Sequence, residues 1–345
     1  MAARSTVAQK RIIVYNSHNL DDNAALSEAW REREGSMGLL YALESIRTPL
    51  LDKILGAVTY LGDELCFMVF AVGVFWCISK RMGYYLMTVG FFGTILNQFL
   101  KILCAVPRPW VKDPGFTIVE SARAGASGYS FPSGHTQNAV TLYGGTARYT
   151  KTPWLRWVCI AVMVLICFSR MYLGVHTPLD VGVAFAMALI LLAALYPAFR
   201  TEDAMRRSMP WLIVGALALG SVFLGYVTGL RPDFAPGSED ESNLAHAVKN
   251  AWTLLGAVAA LLPMYLIERT YIRFDTRAPW YGQILKLVLG LALAVGLKTM
   301  LKEPLRTLFP SGFADALRYF VLVLYAGCVW PLTFRFFARL GRKAD

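Results

Sequence analysis

The chain has 345 residues, of which 56% are hydrophobic and only 17% charged. Soluble domains carry about 25% charged residues, so this balance excludes an ordinary water-soluble globule and points to a bilayer. The formal net charge of +11 would suit nucleic acid if it were clustered, but it is spread over short loops, so no nucleic-acid partner is expected.

In chain order, residues 1–48 read as a polar arm of mixed charge, with a short helix over Ala24–Glu34 and no apolar core of the signal-peptide kind. Leu50–Leu61 is amphipathic and predicts a helix that lies at the membrane interface or dips partway into it. Apolar runs follow at Leu65–Ser79, Gly83–Leu103, Trp154–Tyr172, Leu179–Phe199, Trp211–Leu230, Ala251–Ile267, Ile284–Leu301 and Leu317–Phe337. Most approach the roughly 20 residues that a helix needs to span a bilayer. A further helix over His135–Tyr149 is more polar, and is expected because the chain must return between the loop before it and the run after it. The fold class expected is all-α, a polytopic membrane bundle of about nine transmembrane helices. Its parts are a polar arm at 1–48, a catalytic membrane core at 49–230 and additional membrane helices at 231–345.

The short basic loops carry Lys80 and Arg81, then Arg148, Lys151 and Arg156, then Arg200, Arg206 and Arg207, then Arg269, Arg273 and Arg277. By the positive-inside rule this side is cytoplasmic. The loop Ala105–Phe131 and the break at Gly174–Pro178 then fall together on the other side. The six cysteines sit in or beside predicted membrane helices, in neither a disulfide framework nor a metal-ligand spacing, and read as packing residues.

Polar residues that are costly at membrane depth gather in three segments: Lys101 to Arg108-Pro109, Pro132-Ser133-Gly134-His135, and Ser169-Arg170 to His176 and Asp180. Lys101, Arg108 and Arg170 supply cations enough to neutralise a phosphoryl group. Ser133 and Gly134 at a helix start offer a hydroxyl and backbone N–H groups to an anion. His176 and Asp180, four residues apart, would share a helix face, so that the carboxylate fixes one ring nitrogen as N–H and leaves the other free to attack phosphorus. His135 has Ala139 rather than an acid at that spacing, which suits it to protonate the leaving oxygen. No metal-ligand motif is present in the sequence, and no cofactor is expected.

These segments resemble the signature K-x6-RP, PSGH and SR-x5-H-x3-D of the type-2 phosphatidic acid phosphatase superfamily, in order across Lys101–Asp180. The resemblance implies a membrane-embedded lipid phosphate phosphatase acting without a metal. It implies a phosphohistidine intermediate on His176 oriented by Asp180, with His135 as acid and phosphate held by Lys101, Arg108, Ser133, Gly134 and Arg170. The wording Tyr172-Leu-Gly-Val-His176, with two helices before the first motif, is similar to the sphingosine-1-phosphate phosphatases, and the long layout also to glucose-6-phosphatase. The expected partners are a lipid phosphate and the lipids of a bacterial plasma membrane or endoplasmic reticulum, with the site on the non-cytoplasmic face. An isoprenoid (di)phosphate substrate, or transfer of the phosphoryl group to another lipid or sugar, remains open. Lys298, Lys302 and Arg306 before Phe309-Pro-Ser-Gly312-Phe313 echo the first two motifs without the histidine. They are read as a relic or a coincidence, with attraction of anionic substrate as their one suggested role.

Overall fold

The structure, a computed structural model, describes residues 37–230 and 234–340, and the helix expected over Ala24–Glu34 lies outside them. Every regular element among the described residues is helical. The helices are α1 (37–45), α2 (Pro49–Thr59), α3 (Glu64–Cys77), α4 (Lys80–Cys104), α5 (134–149), α6 (Pro153–Tyr172) and α7 (Pro178–Leu195). After these come α8 (Glu202–Gly229), α9 (Glu239–Ile267), α10 (Trp280–Met300) and α11 (Ser311–Leu324).

Among the described residues seven helices are long and apolar enough to cross a membrane, or eight if the pair Pro49–Gly62 and Glu64–Cys77, bent by 50°, is one span. The protein is therefore a multi-pass membrane protein. By this measure the expected count of nine is not reached, for two reasons. The run at Leu65–Ser79 forms a helix of only 14 residues, and it qualifies only together with the segment expected to lie at the interface. Residues 134–149 carry buried Thr136, Gln137, Thr141 and Thr146 and are shorter than the other spans.

That short helix nevertheless lies along α4 from one end to the other. Asn97 Nδ2 donates to Pro132 O at 3.4 Å at one end. Arg81 Nε donates to Tyr149 OH at 2.7 Å at the other. Its polar side chains are tolerated because they bond within the bundle, as Gln137 Nε2 does to Thr141 Oγ1 at 3.2 Å.

The two ends of the bundle differ as the loops predict. At the basic end Arg81 Nη1 donates to Arg200 O (3.1 Å) and Lys80 Nζ to Glu268 Oε1 (2.8 Å). Exposed Trp154, Trp157, Tyr271 and Trp280 lie at the same end, an aromatic belt of the kind that marks a membrane–water boundary. The site segments occupy the opposite end. The described last residues of the expected polar arm, 37–48, pack against that end. Leu40 is fully buried, Arg47 Nε donates to Tyr172 O (2.9 Å) and Arg47 Nη1 to Thr117 O (2.9 Å). The last part of the expected arm thus clamps the end of α6 against the long loop.

The C-terminal helices pack on this core through polar contacts at membrane depth. Lys286 is fully buried, and its ammonium donates to Trp76 O at 2.9 Å, at the end of α3, and to Thr276 O at 3.1 Å, in the segment before α10. Gln283 Nε2 takes Cys77 O at 3.2 Å, and Trp76 Nε1 donates to Ala326 O at 2.8 Å. At Gly256 an added Cβ would lie 2.1 Å from Ala316 O, so α9 and α11 meet backbone to backbone.

Gly174 turns the chain between α6 and α7 with φ +79°, and a Cβ there would meet Arg47 Nη2 at 2.7 Å and Phe116 Cε1 at 2.9 Å. Gly174→Ala should therefore destabilise the protein by about 1–3 kcal/mol, read as a lower thermal unfolding midpoint in detergent. An unchanged midpoint would contradict the turn's role.

Candidate active site

The first segment is a helix end. Lys101 lies in the last turn of α4, which stops at Ala105 in the left-handed conformation (φ 46°, ψ 40°). That reversal, followed by the Arg108-Pro109 step, brings Arg108 back beside the lysine. Lys101 Nζ donates to Tyr129 O at 2.6 Å. Arg108 is held by three carbonyls, with Nε on Gly128 O (3.0 Å), Nη2 on Ser127 O (2.8 Å) and Nη1 on Val175 O (2.9 Å). A guanidinium fixed in this way is a preorganised charge rather than a mobile one.

The third segment pairs His176 with Asp180, though not on a helix face as the spacing suggested. His176 precedes Thr177, the N-cap of α7, and a capping box between Thr177 and Asp180 brings the carboxylate back toward the ring. Asp180 Oδ2 accepts from Thr177 N at 2.8 Å, and Thr177 Oγ1 accepts from Asp180 N at 3.3 Å. The same carboxylate oxygen accepts from Ser130 Oγ at 2.5 Å and lies 3.5 Å from His176 Nδ1. On the other side of the ring, Arg108 Nη1 stands 3.0 Å from Nε2. An arginine can only donate, so Nε2 is the unprotonated nitrogen and Nδ1 carries the hydrogen, facing Asp180. Burial first, and the Arg108 charge second, hold this imidazole well below its ordinary pKa, so it stays neutral.

Arg170 is almost wholly buried, with Nη1 donating to Thr59 Oγ1 at 2.7 Å. Its Nε and Nη2 are buried without hydrogen-bond partners. Unmet guanidinium donors are costly in an apolar interior and suit an anion that takes them. Ser133 caps α5, its Oγ accepting from Thr136 N (3.4 Å) and Thr136 Oγ1 (3.0 Å) while its own N–H donates to Asp180 O (3.1 Å).

His135 follows at the second position of that helix, and it has an acidic neighbour that motif spacing did not reveal. Asp63 Oδ2 lies 4.0 Å from His135 Nε2. Asp63 caps α3, its Oδ1 accepting from Leu65 N at 2.9 Å. The break between α2 and α3 is pressed against α5 because Gly62 has no side chain: a Cβ would stand 3.0 Å from His135 O and 2.7 Å from Ile166 Cγ2. The signal in the sequence is a Gly-Asp step opening an apolar run, which reads as a cap and says nothing of a partner 72 residues later.

A cavity of about 170 Å3 joins these groups, lined among others by Asp63, Lys101, Arg108, Gly134, His135 and His176. Of the residues expected from the sequence, these last five face it. Asp180, Ser133 and Arg170 are buried around it, and Asp180 bonds to groups that face it or frame it. None of the cations of the second-half echo lines this cavity. Arg306 Nη2 lies 3.2 Å from Asp315 Oδ2, Arg318 Nη2 donates to Asp315 Oδ1 at 2.8 Å, and Lys302 Nζ is 3.5 Å from Glu303 Oε1. Much of its charge is already answered within the extension.

Residues 79–204 match the PAP2 superfamily, and residues 248–343 match the transmembrane extension of PAP2 superfamily phosphatases. Phosphatidylglycerophosphatase B of Bacillus subtilis is 30% identical over 161 residues, covering 42% of this chain and 74% of that protein. The protein belongs to the PAP2 superfamily, in the branch that carries the transmembrane extension. Sphingosine-1-phosphate phosphatase 1 of Rattus norvegicus is 24% identical over 260 residues, which is 71% of this chain and 58% of that protein. The chain thus spans little more than half the length of that relative. The crystal structure of Aquifex aeolicus LpxE is similar to 46% of this chain, with 25% identity and a TM-score of 0.42.

Arg108→Lys keeps a charge but cannot satisfy three carbonyls and a ring nitrogen at once. Binding of orthovanadate to the purified protein should weaken by at least about tenfold, or about 1.4 kcal/mol. Unchanged affinity in a calorimetric titration would show that the guanidinium is not part of the anion site.

Proposed function

We propose that this protein is a lipid phosphate phosphatase. It would hydrolyse the phosphomonoester of an amphiphilic substrate, a sphingoid-base phosphate or a close relative, through a phosphohistidine on His176 and without a metal. The observation that carries the reading is the environment of the His176 ring, with Nε2 unprotonated toward Arg108 and Nδ1 over Asp180, at a cavity lined by two cations and a second histidine.

The chemistry follows from the contacts. Substrate phosphate enters among Lys101, Arg108 and the unmet Arg170 donors, and Arg108 Nη1 exchanges Nε2 for a phosphoryl oxygen. The freed Nε2 lone pair attacks phosphorus and forms the N–P bond, while the P–O bond to the leaving alcohol breaks. The leaving oxygen takes a proton from His135, which must enter the step as imidazolium. Burial and the Arg170, Arg108 and Lys101 charges lower its pKa to about 2. The arriving phosphate dianion, with Asp63, would offset those charges and let it take up a proton from solvent first. Asp180 stabilises the positive charge that develops on the ring. In the second half His135 removes a proton from water, the hydroxide attacks phosphorus, and the N–P bond breaks to return neutral His176. Asp63 would steady His135 through this cycle.

The substrate class is supported by the relatives. The similarity to sphingosine-1-phosphate phosphatase 1 runs over 71% of this chain. Phosphatidylglycerophosphatase B and undecaprenyl-diphosphatase BcrC, both of Bacillus subtilis, match a smaller share, 42% and 41%. With the basic loops at the opposite end, the positive-inside rule would put this site on the non-cytoplasmic face.

Purified protein should release inorganic phosphate from sphingosine 1-phosphate in mixed micelles with no alcohol acceptor, and His176→Ala should release none. Phosphate appearing only when an alcohol is added would identify a transferase instead. Asp180→Asn should lower kcat by at least about 100-fold, because the ring loses its anionic partner while the amide oxygen can still accept from the cap; a change below tenfold would remove Asp180 from the mechanism. Chelators should leave the rate unchanged, and strong inhibition would reveal a metal. The depressed pKa of His176 keeps its neutral, nucleophilic form as pH falls, so phosphoenzyme formation should not decline between about pH 7 and 5.5, where an ordinary imidazole would protonate. A decline with a midpoint near 6.5 would contradict that.

A further inference from the structure

The larger of two cavities described here lies at the end of the bundle opposite the histidines. It measures about 520 Å3, against about 170 Å3 for the catalytic one. That is within the roughly 300–1,000 Å3 of small-ligand sites. Lys80 opens α4, Arg206 lies near the start of α8, and Tyr265, Glu268, Arg269 and Arg273 come from the end of α9.

The charges in it are unequal. Lys80 and Glu268 neutralise each other at 2.8 Å. Glu202 also lines the cavity and is exposed. Arg206, Arg269 and Arg273 have no carboxylate within 4.0 Å among the described residues. Scattered basic residues at this end would be expected from membrane orientation alone. Two features go beyond that expectation.

The first is local backbone shape. After Ile267 the helix widens over Glu268–Ile272 and ends with Arg273 in the left-handed region at φ 46°. A residue with a side chain adopts this conformation reluctantly. The turn is fixed by Arg273 N donating to Glu268 O at 2.7 Å and Arg273 Nε donating to Arg269 O at 3.1 Å. Two guanidinium groups are thereby kept on one wall, opposite Arg206.

The second is an unanswered donor. Tyr265 is 1% exposed, and its buried hydroxyl lies beside Arg269 and Arg206; guanidinium groups only donate, so the phenol proton is left without an acceptor. A buried hydroxyl left unpaired costs stability, and an acceptor held between the arginines would satisfy it. Three guanidinium groups and a phenol form a donor set for a phosphate-type anion, and Arg grips such oxygens in pairs.

We propose that this basic-end cavity is a second anion site, separate from the catalytic one, that binds a phosphate group carried either by free phosphate or by a lipid headgroup of that leaflet. The site does not depend on the reaction proposed for the histidines.

Hydrogen exchange of the full chain in phosphatidylcholine nanodiscs tests it. Added inorganic phosphate, or phosphatidic acid in nanodiscs of the His176→Ala protein to prevent turnover, should slow exchange in peptides covering 201–206 and 265–273. Protection by phosphate alone identifies a free-anion site, and protection only by phosphatidic acid a headgroup site. Arg206→Gln with Arg269→Gln should raise the half-protecting concentration at least tenfold while leaving protection around residues 133–138 unchanged. Tyr265→Phe, a milder change that preserves packing, should shift it in the same direction. No protection with either probe, or protection unaffected by the paired substitution, would overturn the proposal.

Discussion

A carboxylate buried at the start of a membrane helix must be surrounded by donors, and one oxygen of Asp180 is placed among three. It takes the Thr177 N–H that starts α7, the Ser130 hydroxyl of the long loop, and faces Nδ1 of His176. The first contact decides where α7 begins, the second where the loop stops, and the third which ring nitrogen keeps its proton. Ser130 N in turn donates to Val106 O (2.8 Å), which ties the loop to the segment carrying Arg108. A single acceptor thus sets the helix cap, the loop and the tautomer together.

The same economy governs the cations. Lys101 and Arg108 are satisfied by backbone carbonyls and have no acidic partner within 4.0 Å among the described residues, so their positive charge remains available to an anion. Arg170 has one side-chain contact and two unmet nitrogens. A single such cation can serve packing, as Lys286 does against backbone carbonyls; three converging beside two histidines suit a site that receives an anion.

Much of this was legible because the residues of the candidate site sit at helix ends. Pro132-Ser133-Gly134 and Thr177-Pro178 are starts, and Lys101 to Arg108 spans a stop, so local spacing carries their relation. The pairing of His176 and Asp180 was readable, yet its mechanism was not: a capping box, rather than a helical face, brings the two together. Asp63 was invisible because its approach to His135 depends on a bend of 50° and on Gly62 allowing backbone contact. The merging of the interfacial segment with the first run, and the burial of Leu40 and the docking of half-buried Arg47 in the expected arm, are tertiary outcomes that hydropathy does not encode.

The central claim is that His176 Nε2 bonds covalently to phosphorus. Acid-free quenching of the protein during turnover of a 32P-labelled lipid phosphate, followed by peptide mass spectrometry, tests it most directly. The account predicts an acid-labile, base-stable phosphoramidate on the peptide containing His176, absent from the His176→Ala protein. Label on any other residue, or direct water attack inverting a chiral phosphate with no labelled peptide, would contradict it.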